Sequence, residues 1–294
     1  MRFFAALIVD GLLAGAVYAL VALAFVIVYR TSGAINFALG ELAMLGSRLV
    51  ATAIHGLTLG LAGAVGSACL AMAALALGFN RVVLRHLVGR PLISLIMITL
   101  ALGAVIRGAV PLLFGAVPGA IPLPLFPPPL DVHGVLVAPE KLAAAAVAVI
   151  AIVCVGAFFR FSRTGLALRA IADDQQVALA MGIDVHAHVA LTWMMVGVIS
   201  VFAGLLWTLI AGGGFGVAII GLKVFPILVI GGLDSAPGIM VGAVILGVLE
   251  SLAAGYLDPG LGAGFSSVVP YLLLLAVLFV RPYGLFGGAK IERV

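Results

Sequence analysis

Charge is scarce in this sequence. Only 9% of its 294 residues are Asp, Glu, Lys or Arg, against 65% hydrophobic, and the mean hydropathy is +1.36. An ordinary soluble domain carries roughly 25% charged residues, so that class is excluded. Cysteine is almost absent. Cys69 and Cys154 both lie in apolar runs, where a thiol packs as a small hydrophobe, and no disulfide framework is expected. Motifs for hydrolytic chemistry are missing too. The nearest approach to GxxxxGK[ST], GVAIIGLK (216–223), has Leu222 where the lysine belongs and no Ser or Thr after it, so the chain is not expected to hydrolyse ATP itself. There is no HExxH and no GxSxG. His186 and His188 form an HxH pair with no Cys or third His beside it, which reads as a solvated loop rather than a metal site. No cofactor is expected, and the net charge of +4 gives no basis for nucleic-acid binding.

What the sequence has in quantity is long uncharged apolar runs. Leu142–Phe159 is 18 residues long, and Val189–Gly221 is longer and carries no formal charge. About 20 apolar residues cross a hydrocarbon core as a helix, and lipid cannot satisfy the open backbone of other forms. Alternating ten-residue strands of a β-barrel are absent. The expected fold is therefore an all-α polytopic membrane protein with eight or nine membrane segments near 4–29, 41–57, 58–79, 91–113, 141–159, 189–211, 223–233, 237–255 and 266–280. The 223–233 segment is too short to cross alone; it is either a half-helix or joins its neighbour through GGLDSAPG. The N-terminal MRFFAALIVDGLLAGA has Asp10 inside its apolar region, and that region runs on to Tyr29. It reads as an uncleaved first span rather than a signal peptide.

Short loops rich in Lys and Arg mark the cytoplasmic side. Arg81, Arg85 and Arg90 lie in 80–90, Arg160, Arg163 and Arg169 in 160–188, and Lys290 and Arg293 in the tail, whereas 115–140 has no Lys or Arg. The first three regions are assigned to the cytoplasm and 115–140 to the outside, with the N-terminus outside as well. The outer loop holds seven of the 14 prolines, which precludes helix and favours an extended chain. The many Ala and Gly of the spans suit close helix packing.

Two polar features interrupt the apolar runs. The first is a set of ionisable residues in or beside the spans: Asp10, Glu41, Arg48, Arg107, Lys223, Asp234 and Glu250. Such groups usually face one another or a cavity. Asp10, Glu41 and Glu250 read as the deepest. Arg48 is too far along the same helix to pair comfortably with Glu41. Gly33, Asn36 and Gly40 break the run at 33–41, and Asp234, Ser235, Pro237 and Gly238 break it at 231–238. Broken segments in corresponding places of two related halves point to the central site of a transporter. Asn36, Glu41, Lys223, Asp234 and Glu250 are accordingly the candidate pathway residues. The second feature is 160–188, with three arginines, three aspartates, two glutamines and two histidines. Residues 170–183 have the pattern of a short helix ending near Gly182, with Asp173 and Asp174 near a helix start.

RTGLALRAIADDQQVALAMGID (163–184) resembles the cytoplasmic loop of permease subunits of branched-chain amino-acid ABC importers. AINFALGELAMLGS (34–47) is similar to their INFAHGE-type motif, and GGLDSAPGIMVGAVILGVLE (231–250) to their late GG-G-S-PGA-GG-ILG-E block. The blocks have the family's order and spacing, and the resemblance runs from about residue 8 to 285, nearer the LivH-like type than the LivM-like one. It implies one transmembrane domain over 1–294, a non-enzymatic transport subunit in the bacterial inner membrane. The implied partners are a second, LivM-like permease, two ATP-binding subunits and a periplasmic substrate-binding protein, besides membrane lipid. It implies a coupling helix in 160–188, with Ala170, Ala172, Asp173, Asp174, Ala178, Gly182 and Ile183 at the ATPase, and a binding protein docked outside near 115–140. The implied cargo is branched-chain or other small amino acids. Two departures stand out: Leu39 replaces a usual His, and Arg48 stands where an aromatic is common. The first leaves urea or short amides as alternative cargo. A self-contained channel or secondary transporter is the other alternative to an importer subunit.

Overall fold

The computed structural model describes residues 2–33, 35–86, 92–121, 128–132, 135–232, 235–262 and 264–281. The helices among them are α1 (Arg2–Ser32), α2 (Leu39–His55), α3 (Leu61–Val82), α4 (Leu92–Phe114), α5 (Pro139–Phe161), α6 (Arg163–Asp173), α7 (Gln175–Ala180), α8 (Val185–Ala211), α9 (Ile219–Gly231), α10 (Ala236–Tyr256), α11 (Asp258–Leu261) and α12 (Val269–Val280). Six of them, α1, α3, α4, α5, α8 and α10, are long and apolar enough to cross a membrane, and shorter apolar segments lie at Phe215–Gly231 and Phe265–Val280. The all-α polytopic fold expected from hydropathy is the fold observed.

Helix α1 is the axis of the bundle. Of its most apolar 18-residue window 78% is buried, against 17% for α5 and 22% each for α3 and α4. It packs on α10, α8, α5 and α9, while α2 fills the space between α8, α3 and α4. Water drives none of this association inside a bilayer, so helix backbones must approach closely to gain dispersion contacts. Glycines make that possible. A Cβ on Gly11 of α1 would lie 2.5 Å from Val248 Cα of α10, and one on Gly204 of α8 would lie 1.9 Å from the Ala43 carbonyl of α2. At the α2–α9 crossing, a Cβ on Gly40 would stand 2.1 Å from the Ala218 carbonyl.

Both expected breaks are present and share a form. Gly33 at φ +66° ends the α1 run, and Gly232 at φ +81° follows α9, a backbone conformation that side chains disfavour. Ser235 then caps α10 by accepting from the Gly238 N–H at 3.0 Å. The 223–233 segment is thus a short helix separated from α10 rather than fused with it. In the proline-rich connection, β1 (Leu130–Val132) pairs antiparallel with β2 (Val135–Val137), a local hairpin that the extended-loop expectation did not specify. Residues 122–127 lie outside the described residues. At the α10–α12 turn the Asp258 carboxylate accepts from the Ser266 backbone N–H at 2.7 Å and from its hydroxyl at 2.9 Å. The Ser266 backbone bond is the main reason this carboxyl is held below its ordinary range.

Candidate functional site

The polar stretch forms two short helices rather than one. Asp174 has extended backbone, and its carboxylate accepts from the N–H groups of Gln176 and Val177 at 2.8 and 3.0 Å. That capping geometry competes with continuing α6, so the single helix expected through 170–183 is divided at Asp174. Asp173 becomes the last residue of α6 instead of a first-turn residue. Gly182, at φ +81°, turns the chain after α7, and Asp184 caps α8 through the Ala187 N–H at 3.1 Å.

Ala178 is 2% exposed and packs with Ile171 and Val185, flanked by Ile183, in a small apolar cluster of its own. Ala170 and Ala172 are half-buried on α6, while Asp173 and Asp174 are exposed. The surface that α7 and its C-terminal residue leave uncovered is mixed: Val177, Leu179 and Met181 are exposed beside Gln175 and Gln176. Of the residues singled out from the sequence in this stretch, Ala178 and Ile183 shape the segment from within. Val177 and Met181 stand out in the sequence as apolar positions among polar ones but are not among the candidate coupling residues, and neither is Leu179.

Around the first break, one face of α4 closes over residues 35–41. Thr99 Oγ1 accepts from the Phe37 N–H at 3.2 Å and donates to the Ile96 carbonyl at 2.9 Å. A Cβ on Gly103 would be 3.4 Å from the Glu41 carboxylate. Arg107 forms an ion pair with Glu41. Thr99, Gly103 and Arg107 recur every four residues, the spacing of one helix face. The Glu41 side chain is 8% exposed and that of Arg107 64%, so the pair runs from the core to the surface. Asn36 is buried; its Oδ1 accepts from the Ala38 N–H at 3.0 Å, while its Nδ2 has no partner. Buried amide donors are rarely left in that state. Leu39 is buried in the core.

The second polar group joins four helices. Lys223 of α9 pairs with Glu250 of α10. Tyr18 of α1 donates to Glu250 Oε2 at 2.6 Å. The Lys223 ammonium lies 5.5 Å from the Trp207 ring centroid and 5.9 Å from that of Tyr18, within cation–π range. Sequence reasoning found the two charges and missed Tyr18 and Trp207. One of two tyrosines in the apolar run after Asp10, and one of only two tryptophans in the chain, were the available signals.

The other embedded charges are structural in geometry. Arg48, 2% exposed, donates to the carbonyls of Phe114 and Val117, the latter at 2.7 Å, and its guanidinium lies 5.1 Å from the Phe215 ring centroid. It ties the 114–117 turn to α2. Asp10 is a correction. Its side chain is 44% exposed and pairs with Lys141 of α5, so it sits at a helix-end surface instead of deep in the bundle, because α5 begins at that level. Asp234 lies outside the described residues. Cys69 and Cys154 are free thiols.

A family model described as "Branched-chain amino acid transport system / permease component" matches residues 7–278. The chain is 30% identical to the high-affinity branched-chain amino acid transport system permease protein LivH of Escherichia coli K12, over 97% of this chain and 96% of that one. It is also 30% identical to BraD of Pseudomonas aeruginosa, over 98% and 97%. A solved structure of PsaBC from Streptococcus pneumoniae in complex with Fab is similar at TM-score 0.48 and 18% identity, over 93% of this chain and 91% of that one. A multi-pass helical bundle matched along nearly its whole length in this way belongs to the family of branched-chain amino acid transport system permease components.

Proposed function

We propose that this chain is the permease subunit of an ATP-driven importer that carries branched-chain or other small amino acids across a bacterial inner membrane. It works beside a second, LivM-like permease and two ATP-binding subunits, and a periplasmic binding protein delivers the cargo. The observation that carries this reading is the near full-length match to LivH and BraD, supported by the exposed apolar side chains of Val177, Leu179 and Met181. Arg30, Arg81, Arg85, Arg160, Arg163 and Arg169 lie at or beyond the ends of α1, α3, α5 and in α6, which favours the cytoplasm for that side.

In this reading α6 and α7 form the coupling element. Val177, Leu179 and Met181 seat in an ATP-binding subunit, and Asp174 keeps α7 folded. Closure of the ATPase pair pulls α7, and the apolar cluster of Ile171, Ala178 and Val185 transmits the displacement to α8. Residues 115–140 face outward toward the binding protein. Asn36 and Glu41 at the first break, and Lys223 and Glu250 in the four-helix cluster, are the groups proposed to meet cargo, with Asp234 beside the second break.

The test is co-purification of the full importer and uptake in proteoliposomes. Val177→Asp with Met181→Asp is expected to release the ATP-binding subunits while leaving membrane insertion intact. Uptake by this chain in the absence of any ATPase would overturn the reading. Competition between leucine and urea for the cognate binding protein assigns the cargo.

A further inference from the structure

Arg107 is exposed at the depth where a membrane span tolerates charge least. The Glu41 carboxylate with which it pairs lies beside Gly103. Gly103 is the middle residue of α4, with eleven residues on either side of it. At a rise of about 1.5 Å per residue, that level is about 16 Å from each end of the helix, near the centre of a hydrocarbon core about 30 Å thick. Helical side chains tilt toward the N-terminus of their helix. Arg107 accordingly reaches back to the Gly103 level, away from the nearer, C-terminal end of α4, so its charge is not carried to the closer interface as a snorkelling arginine's is. Its side chain is nevertheless 64% exposed.

The exposed surface of α4 has two flanks of different character. Leu100, Ala104, Arg107 and Pro111 are exposed and follow the spacing of one helix face. This flank borders the first break: Thr99, beside it, accepts from the Phe37 N–H at 3.2 Å, and a Cβ on Gly103 would lie 3.6 Å from Ala38 Cα. Val105 and Leu112, 67% and 87% exposed, lie on the other flank. Val105 is two residues from Arg107, about 200° round the helix. That second flank is apolar and suits lipid.

The Arg107 flank does not suit lipid. A charge at the bilayer centre costs about 2.5–3.5 kcal/mol on insertion scales, and such groups face the bundle interior or a water-filled cavity. This chain's own bundle leaves Arg107 uncovered. Glu41 engages one Nη group, and the other guanidinium donors need acceptors that hydrocarbon lacks. Irregular backbone such as residues 35–38 is likewise tolerated at membrane depth only under protein or beside water. We propose that the Leu100–Ala104–Arg107–Pro111 flank of α4 is a wall of the water-filled transport path, so that cargo passes the Arg107–Glu41 pair near mid-membrane. Because Glu41 balances Arg107, the wall carries no net charge there, which suits a solute without net charge. The inference rests on the transport role proposed above, and it adds Arg107 and α4 to the residues that cargo meets.

The test is thiol labelling of the assembled importer in its membrane. Leu100→Cys, Ala104→Cys, Val105→Cys and Ile150→Cys are made singly in a chain carrying Cys69→Ala and Cys154→Ala. Ile150, the middle residue of α5 and 62% exposed, joins Val105 as a lipid-facing control at matching depth. A charged, membrane-impermeant methanethiosulfonate reacts with the thiolate, which forms in water and not in hydrocarbon. Cysteines at 100 and 104 are expected to react about tenfold faster than those at 105 and 150, and their modification should block uptake until a reductant removes the adduct. Should Leu100→Cys fail to fold, Ala104→Cys, at an exposed position with a similar side-chain volume, carries the comparison alone. Equal rates at all positions, no reaction on the Arg107 flank, or modification that leaves uptake unchanged would each overturn the proposal. The two readings fail differently. Uptake that persists without any ATP-binding subunit overturns the importer and leaves the labelling contrast intact, whereas equal labelling in an ATP-dependent importer overturns the path wall alone.

Discussion

Lys223→Met is the most informative single substitution in the bundle. The side chains of Lys223 and Glu250 are only 11% and 15% exposed. Methionine keeps most of the lysine stem and removes the cation. Glu250 then keeps the Tyr18 hydrogen bond, at 2.6 Å, and loses its charged partner. Removing one member of a buried pair costs about 3–5 kcal/mol. The expected destabilisation is therefore about 3–5 kcal/mol.

Replacing both charges, Lys223→Met with Glu250→Leu, relieves the unpaired carboxylate. It leaves the Tyr18 hydroxyl without its acceptor, a residual cost of about 1–2 kcal/mol. The double variant should therefore be more stable than the single one by about 2 kcal/mol. Equilibrium unfolding in mixed detergent–SDS micelles measures both. Uptake in proteoliposomes separates the roles: a structural clamp recovers transport with stability, whereas a cargo-contacting cluster stays inactive in the stable double variant. A single-variant cost below about 0.5 kcal/mol, or a double variant no better than the single, would refute the reasoning by showing that water already compensates the pair.

Three further outcomes are expected. Gly204→Val should abolish accumulation of folded protein, because its Cβ would lie 1.9 Å from the Ala43 carbonyl; Gly66→Ala, with nothing within 4 Å, is the neutral control in the same expression and gel-filtration assay. Asp174→Ala should destabilise α7 locally by about 1 kcal/mol, read as faster amide exchange at Gln176 and Val177, with weaker ATPase association and unchanged exchange in α8. Asp258 has a folded-state pKa below its ordinary value, so its contribution is fully present above about pH 4 and is lost as pH falls through the folded value. Exchange of the Ser266 amide should accelerate over that interval, and Asp258→Asn should remove the pH dependence.

The elements that could be read from the sequence are those decided by local physics. Runs such as Leu142–Phe159 must be helical in lipid whatever surrounds them, so α5 and α8 lie where hydropathy puts them. The breaks at Gly33 and Gly232 depend on residues beside them in the chain, and both were visible for that reason. Partnership was different. Glu41 meets Arg107 from α4, Lys223 and Glu250 meet Tyr18 and Trp207, and Asp10 meets Lys141 at a half-exposed helix end. Each is a contact between residues far apart in sequence, decided by which helix packs beside which. Even within 170–183, pattern alone predicts one helix, and the competition between the Asp174 carboxylate and the α6 backbone divides it. By itself the sequence determined a polytopic helical permease with a polar loop between spans. Only the tertiary structure decided which charges are paired and which apolar side chains the loop leaves exposed, because these depend on distances between helices that no local pattern encodes.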